Sequence, residues 1–263
     1  MLQHLQPQDW FYRLLAPLLV PALILALWFG IGHFRWLPRG LVPTPPETFS
    51  AFVTWIFGPL GDLYSGTWWG TVTASGQRVL LGFAVASTAG LIVGVFMATN
   101  RFVAAVLEPV FNSIRPIPIP AWVPFTLIFF GLNLFASVAL VILAAFPPMV
   151  INTMTGVQRA NPLWIRAAEM LGARRLRILV RVLLPASLPS VFAGLRLSIG
   201  MSWLAVVVAE IVGVQAGIGY TIYESYYFNR VDILIADMIT VGGLGLLSDR
   251  VIYFTGVRIC HWH

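Results

Sequence analysis

The sequence contains no lysine and a single cysteine. All 16 basic residues of the 263-residue chain are arginine, so it holds neither a GxxxxGK[ST] phosphate-binding loop nor a lysine for Schiff-base chemistry. Any ATP hydrolysis linked to this protein must therefore come from another polypeptide. Because Cys260 stands alone, an intrachain disulfide and a thiolate metal cluster are also excluded.

Charged residues are scarce as well. They make up 10% of the chain, against 59% hydrophobic residues and a mean hydropathy of +0.85, whereas about a quarter of an average soluble domain is charged. This composition predicts an all-α integral membrane protein. The net charge of +6 does not indicate nucleic-acid binding, because the arginines are concentrated in one segment between apolar runs rather than spread over a folded basic face.

The four histidines are His4, His33, His261 and His263, and all lie near predicted span ends or termini. None is placed to build a nucleophile or metal site at mid-membrane depth, which argues against an intramembrane protease or metalloenzyme. The sequence 261–263 could bind a metal weakly, but a solvated or interfacial tail is the simpler interpretation.

Six membrane-spanning segments are predicted from the lengths of the apolar runs. They lie at about 14–32, 73–99, 102–130, 134–150, 187–208 and 233–254. Between the first two spans, an external segment should contain a short helix at about 47–57, and tryptophans 36, 55, 68 and 69 fit an interfacial belt there. The predicted regions are an N-terminal segment with the first span (1–40), the external segment (41–72), a permease core (73–255) that includes a cytoplasmic loop (152–186), and a tail (256–263).

The third span is predicted to be broken, because Pro116, Pro118, Pro120 and Pro124 cannot sit in a continuous helix. Irregular backbone at membrane depth needs protein or a water-filled cavity around it, so this stretch should face the bundle interior. A re-entrant loop at the surface is the alternative.

The arginines favour one orientation of these spans, with both termini inside. Only Arg35, Arg39 and Arg230 would be external. The internal arginines would be Arg13, Arg101, Arg159, Arg166, Arg174, Arg175, Arg177, Arg181, Arg250 and Arg258. This distribution obeys the positive-inside rule.

Small residues and isolated charges mark individual spans. Gly82, Ala86, Gly90 and Gly94 recur every four residues, which favours a stripe for close helix packing. Six charges lie in or beside spans and need a partner, a cavity or an interface: Arg78, Glu108, Arg115, Arg196, Glu210 and Asp237. We expect Arg196 to extend to the interface, Glu210 to line a substrate entrance or end a solvated helix, and Asp237 to bond a neighbouring helix.

The segment 161–185 is the most distinctive part of the chain. Asn161 and Pro162 predict a helix start, and Gly172 predicts a sharp turn into a second helix that ends at Pro185. In that helix, leucines 176, 179, 183 and 184 and Val180 should share one face, and arginines 174, 177 and 181 another. Such a segment suits either an amphipathic helix on the membrane surface or a docking element for a soluble partner.

The spacing of small residues in this segment resembles a family motif. The segment contains Ala167-Ala168, then three residues, Gly172, nine residues, and finally Val182, Leu184 and Pro185. This pattern resembles the EAA loop of importer-type ABC permeases, which has E-A-A, three residues, G, nine residues and I-x-L-P. The leading position is Arg166 instead of glutamate, with an acid at Glu169. Weaker similarity over about 41–255 is to the nitrate, sulfonate, taurine and bicarbonate subgroup, through the segments 78–94, 114–124, 152–157, 194–210, 217–220 and 245–250.

The resemblance implies a MetI-like type I importer permease with six spans, in the bacterial inner membrane. It would form a homodimer with two cytoplasmic ATPase subunits, which bind ATP and Mg²⁺, and receive substrate from an external binding protein. The chain itself would hold no cofactor. ATPase coupling would involve Ala167, Ala168, Glu169, Gly172, Ala173 and Pro185, and the path for a small anion is expected to include Pro118, Pro120, Ser202 and Glu210.

Two other functions fit a polytopic membrane protein. An ion-gradient-driven secondary transporter would be expected to show paired mid-membrane carboxylates or inverted repeats, and no clear internal repeat is present. A membrane enzyme would need a nucleophile with a base, for which the histidines are poorly placed. Co-purification with an ATPase would separate the permease from both.

Overall fold

The computed structural model describes residues 8–34, 42–59 and 64–260, with side chains of the first range described from residue 18. The predictions made for His4, Arg35, Trp36, Arg39 and 261–263 fall outside these ranges. The described residues form helices and turns without a β-strand. The helices are α1 Gln8–His33, α2 Pro45–Phe57, α3 Trp68–Thr99, α4 Arg101–Ile114, α5 Val123–Phe130, α6 Leu134–Gln158, α7 Pro162–Met170, α8 Arg175–Ile178, α9 Leu184–Gly213, α10 Ile218–Tyr227 and α11 Val231–Ile259.

Four stretches of helix are long and apolar enough to cross a membrane: α3, α6, the run Arg175–Gly213 and α11. A fifth crossing results if α4 and the segment Ile119–Phe130 count as one broken span, which bends by 99°. This break falls in the proline-rich stretch, as predicted. In α1, the apolar part with described side chains, Leu18–His33, is shorter, so the crossing at 14–32 stays a prediction.

The chain divides into two compact units. The described residues of the first are those up to Trp69 together with Ile222–Met238. Its core contains Trp55, which is fully buried beside Tyr64 and Ile233. The assignment of Trp55 to an interfacial belt is therefore wrong, because the ring is covered by protein rather than by the membrane surface. The predicted helix at 47–57 is confirmed as α2, where the Glu47 carboxylate accepts the Thr44 N–H at 2.7 Å.

The second unit comprises Gly70–Thr221 and the described residues from Ile239 onward. Its centre is formed by α3, α6 and α9. The small residues of α3 pack on α6, as predicted: a Cβ built on Gly82 would lie 2.5 Å from Val141, and one on Gly94 would lie 2.7 Å from Thr153. Because 82 meets 141 and 94 meets 153, the two helices run in the same direction.

The helix α9 runs antiparallel to α6. The Ser198 hydroxyl donates to the Ala145 carbonyl at 2.8 Å, and a Cβ on Gly156 would lie 2.6 Å from Ser190. Within the same unit, α11 turns back along α9, since Gly256 lies against Phe192 and the Trp203 indole donates to Ser248. If the broken span of α4 and α5 is counted between α3 and α6, the directions of α3, α6, α9 and α11 are those of five alternating crossings.

Pro185 does not end a helix, contrary to the prediction. A π-helical turn, Leu179–Leu183, joins α8 to α9. There the Leu184 N–H bonds to the Leu179 carbonyl, five residues back, so the helix continues through Pro185 with a local π-helical irregularity directly before the proline. The predicted apolar face of this segment is also partly wrong. Leu176 and Val180 are exposed, and Ile178 is the buried residue.

Candidate functional site

The loop between α6 and α9 has a defined turn at its centre. The Asn161 side chain accepts the Leu163 N–H at 2.9 Å and caps α7, as predicted. Gly172 has φ +74°. Its N–H bonds the Glu169 carbonyl at 2.9 Å, and the Ala173 N–H bonds the Ala168 carbonyl at 3.0 Å. This pair of bonds is a Schellman motif, which terminates α7 and requires the left-handed conformation that glycine adopts without strain.

The six residues predicted for ATPase coupling all lie in or beside this loop. Ala167, Glu169 and Gly172 are exposed, whereas Ala168, Ala173 and Pro185 are half-buried. A Cβ on Gly172 would meet nothing within 4 Å, so the backbone conformation alone constrains this position in the isolated chain. Glu169 also lines a cavity of about 560 Å³, together with Arg175 and Leu179.

The outer face of the loop is apolar and basic. Met170 is 83% exposed and Leu171 is 88% exposed, directly before Gly172. α7 has no buried residue. Around the turn, arginines 166, 174, 175, 177 and 181 are exposed. Exposed apolar side chains at the tip of a polar loop are typical of a surface that binds another protein.

A second cavity, of about 430 Å³, lies where α4 breaks. Pro116 and Pro118 from the break line it, with Pro147 from α6 and Met201 from α9. Arg115 also lines this cavity and is its only charged side chain. The proline-rich stretch therefore faces a cavity in the second unit, although much of its surface is exposed in the single chain.

The four residues predicted for the translocation path separate in the structure. Pro118 lines the 430 Å³ cavity, whereas Pro120 is exposed and lies outside its lining. Ser202 is buried, and its hydroxyl donates to the Ser198 carbonyl at 2.8 Å. Glu210 is fully buried, so it is not a solvated helix end. Its role in the path stays a prediction that this geometry does not favour, because its carboxylate is already bound by protein groups.

Glu210 forms the centre of a closed polar cluster. Its carboxylate accepts from Arg78 Nη1, from the Ser75 hydroxyl at 2.8 Å and from the Gly219 N–H at 2.9 Å. Arg78 also donates to the Ala216 carbonyl at 2.7 Å. A Cβ on Gly217, where φ is +115°, would collide with the Glu210 carboxyl group. The glycines at 217 and 219 therefore let the chain close over this ion pair.

The remaining membrane charges lie in three different environments. Arg196 does not extend alone to the interface: its guanidinium makes two hydrogen bonds to Asp249, at 2.7 and 2.9 Å, and lies over the Tyr253 ring. Asp237 is fully buried, yet neither carboxylate oxygen has a hydrogen-bond partner among the described residues. The predicted hydrogen bond from Asp237 to a neighbouring helix is therefore absent from the described structure. Glu108 is exposed.

Sequence reasoning missed three of these features. It did not place Arg115 beside a cavity, because the bend that brings Arg115 there is not visible in a linear span. It did not pair Arg78 with Glu210, which are separated by 132 positions. It also overlooked Met170 and Leu171, since apolar residues in this chain are too common to stand out; their position directly before the turn glycine is the signal that could have identified them.

Comparison with known proteins agrees with this architecture. Residues 86–258 match the family model described as binding-protein-dependent transport system inner membrane component. The bicarbonate transport system permease protein CmpB of Synechococcus elongatus is 38% identical over 82% of this chain and 78% of its own. The taurine transport system permease protein TauC of Escherichia coli is 29% identical over 92% of this chain and 87% of its own.

A solved structure shares the fold. It is the MetNI methionine ABC transporter, described as inward facing, with a TM-score of 0.57 and 24% identity over 73% of this chain and 92% of that one. With the family match, the long apolar helices and the exposed loop between α6 and α9, this settles the class. The chain belongs to the family of binding-protein-dependent transport system inner membrane components, and it is a polytopic permease with the MetI-like fold.

Proposed function

We propose that this permease imports a small oxyanion, such as bicarbonate, nitrate or a sulfonate, powered by ATP hydrolysis in a partner subunit. Permeases that are similar to this chain are named for bicarbonate and taurine transport. ATP must be hydrolysed elsewhere, since a chain without lysine has no phosphate-binding loop. Specificity would be shared with an external binding protein.

The exposed tip of the loop between α6 and α9 carries this proposal. Met170 and Leu171 are the apolar contacts offered to an ATPase subunit, and the surrounding arginines match an acidic or polar rim. Buried apolar anchors with a charged rim are the usual anatomy of a protein interface. On this proposal the loop is cytoplasmic and the end of α11 lies on the same side. The N-terminus would lie inside as well if α1 is the first crossing.

The small residues of the loop would transmit the movement of the ATPase. Ala167, Ala168 and Gly172 would allow close packing against the partner, so that ATP-driven closure moves α7 as a rigid body and rocks the spans. Replacing Gly172 with a bulky residue should uncouple ATP hydrolysis from uptake while membrane insertion remains intact. Unchanged transport in a Gly172→Trp variant would contradict this role.

A second permease subunit would complete the membrane part. No residue of α4 is buried in the single chain, and Phe102, Val106 and Val110 on it are exposed. We propose that a second copy of this chain packs near α4 and α5 and lies beside the broken span. Mass determination of the purified complex would show two copies, and a complex with a different permease chain would contradict the homodimer.

The direct test is uptake into proteoliposomes. The complex of permease and ATPase would be reconstituted with the binding protein outside and ATP inside, and labelled bicarbonate, nitrate and taurine would be offered in turn. We expect ATP-dependent accumulation of at least one of these anions. Accumulation driven by an ion gradient without ATP would instead indicate a secondary transporter, and uptake of none of the three would contradict the proposed substrate class.

A further inference from the structure

The cavity at the break between α4 and α5 contains a cationic side chain that no protein group neutralises. The Arg115 guanidinium makes no hydrogen bond or ion pair with any described residue, and it is the only charged group lining this cavity of about 430 Å³. By contrast, the Arg78, Arg196 and Arg230 side chains each pair with a carboxylate. Arg115 therefore differs from the three paired arginines in being available to a ligand.

The cavity lies at the middle of the spans. From α6 it is lined by Ala144, Pro148 and Asn152, which centre on the middle of Leu134–Gln158. From α9 it is lined by Leu197 and Met201, in the middle of Leu184–Gly213. An unpaired charge near the bilayer centre is costly. Such a charge is maintained where water or a counter-ion reaches it.

A second polar group faces the same space. The Asn152 side chain lines the cavity and uses one amide N–H to bond the Pro148 carbonyl at 2.8 Å. Its other N–H remains for a ligand, and the rest of the wall is mainly apolar. A cavity of this size with one fixed charge and one amide is suited to a single small ligand with a few oxygens.

We propose that this cavity is an anion-binding site on the translocation path, where Arg115 holds the transported oxyanion and the Asn152 amide donates a further hydrogen bond. The planar guanidinium presents two parallel N–H groups that fit two oxygens of a carbonate, nitrate or sulfonate group. This inference rests on the proposed function. It adds that the permease itself, beyond the binding protein, selects for negative charge.

Uptake by the whole complex tests the site first. In proteoliposomes containing permease, ATPase and binding protein, Arg115→Gln should lower uptake of the transported anion at least tenfold. ATP hydrolysis stimulated by the loaded binding protein should stay within twofold, and Arg115→Lys should restore part of the uptake. Arg258→Gln, an exposed arginine near the end of α11, is the matched control and should transport normally.

Two results of that experiment would overturn the site. One is normal uptake in Arg115→Gln. The other is a parallel loss of uptake and of stimulated ATP hydrolysis, which would assign Arg115 to folding or assembly. If the unmodified complex moved none of the three anions, the proposed function would fail, and that outcome is distinct from either.

A reagent assay tests the charge of the cavity without transport. Cys260→Ser removes the only native cysteine, and Met201→Cys then places one thiol on the cavity wall. Relative to the rates with a free thiol in solution, an anionic methanethiosulfonate should modify this thiol faster than a cationic one, and Arg115→Gln should lower the ratio of the two rates at least threefold. A ratio unaffected by Arg115→Gln would show that Arg115 does not set the potential of the cavity and would overturn the proposal.

Discussion

The charged side chains at the two ends of the α3–α6–α9 bundle differ in burial and pairing. At the end where α9 finishes, Arg78 and Glu210 are buried and bonded to each other, to Ser75 and to the backbone at Gly219. At the other end, the loop between α6 and α9 exposes its arginines together with Met170 and Leu171. The charged groups at the first end are paired within one chain, whereas the arginines and apolar side chains at the second end are exposed and available to bind a partner protein.

This difference separates residues that hold the fold from residues that are free for function. Breaking the closed cluster leaves a charge buried without a partner, which is costly whatever the protein does. Changing the exposed side chains at the tip of the loop, Met170 and Leu171, removes no buried contact from the folded chain, so the effects should be visible only when the ATPase is present. The comparison therefore predicts large effects on stability at one end and large effects on assembly at the other.

The largest effect on stability is expected for Glu210→Ala. It leaves the Arg78 guanidinium buried without its carboxylate, and losses of about 3–5 kcal/mol are typical of such a change. Thermal unfolding in detergent should show a lower midpoint and a lower yield of folded protein. Asp249→Ala removes the partner of Arg196, which is more exposed than Arg78, and should lower the midpoint less than Glu210→Ala does. Equal losses of stability in Glu210→Ala and Asp249→Ala would contradict the distinction between the buried and the more exposed ion pair.

Gly217→Ala should destabilise the same end. The new Cβ would meet the Glu210 carboxyl group, and φ +115° is unfavourable for alanine, so strain of about 1–3 kcal/mol is expected in addition to the displaced ion pair. The midpoint of thermal unfolding measures it. Gly242→Ala is the control, since a Cβ there meets nothing within 4 Å in a regular helix. A Gly217→Ala protein as stable as this control would disprove the close approach.

Leu171→Asp should leave stability unchanged and weaken assembly. The side chain is 88% exposed, so a carboxylate costs the isolated permease little, but an apolar anchor of an interface typically contributes about 2 kcal/mol or more. Co-purification with the ATPase should therefore fall more than tenfold. Val212→Asp, an exposed site near the end of α9, should not reduce co-purification, although it can affect insertion because the site faces outward from a span.

The smallest effect is expected for Gly172→Ala. The turn keeps its space, because a Cβ meets nothing within 4 Å, but φ +74° strains an alanine by about 1 kcal/mol. Stability should fall by about this amount, measured beside Gly242→Ala as the unstrained reference. A larger loss of stability would mean that the turn at Gly172 also stabilises the helix bundle. The two ends would then differ less in their contribution to stability.

Local signals made much of this architecture predictable. The apolar runs located α3, α6, α9 and α11, the small-residue stripe predicted the contact of α3 with α6, and Asn161 and Gly172 predicted the bounds of α7. These features depend on residues close together in the chain. The π-helical turn at Leu179–Leu183 was missed because nothing in the local sequence marks a single extra residue in a helix.

The candidate sites were harder to predict because they depend on contacts across the chain. The Arg78–Glu210 pair and the Arg196–Asp249 pair join residues on different helices. A hydropathy profile locates the spans, but it does not show which residues of two spans lie side by side. Arg115 reaches its cavity through a bend of 99° that proline content predicts in position but not in angle. The sequence motif located the loop, but only the exposed fractions identified Met170 and Leu171 as its outermost apolar residues.

Cross-linking from residue 171 tests most directly whether the ATPase binds the loop between α6 and α9. Leu171→Cys in a Cys260→Ser background would be labelled with a benzophenone, reconstituted with the ATPase and illuminated, with Val212→Cys as the probe at the opposite end. We predict an adduct with the ATPase from position 171 and none from position 212. An adduct from position 212 together with none from position 171 would place the ATPase at the end of the bundle where α9 finishes. That result would contradict the proposal that the loop between α6 and α9 binds the ATPase.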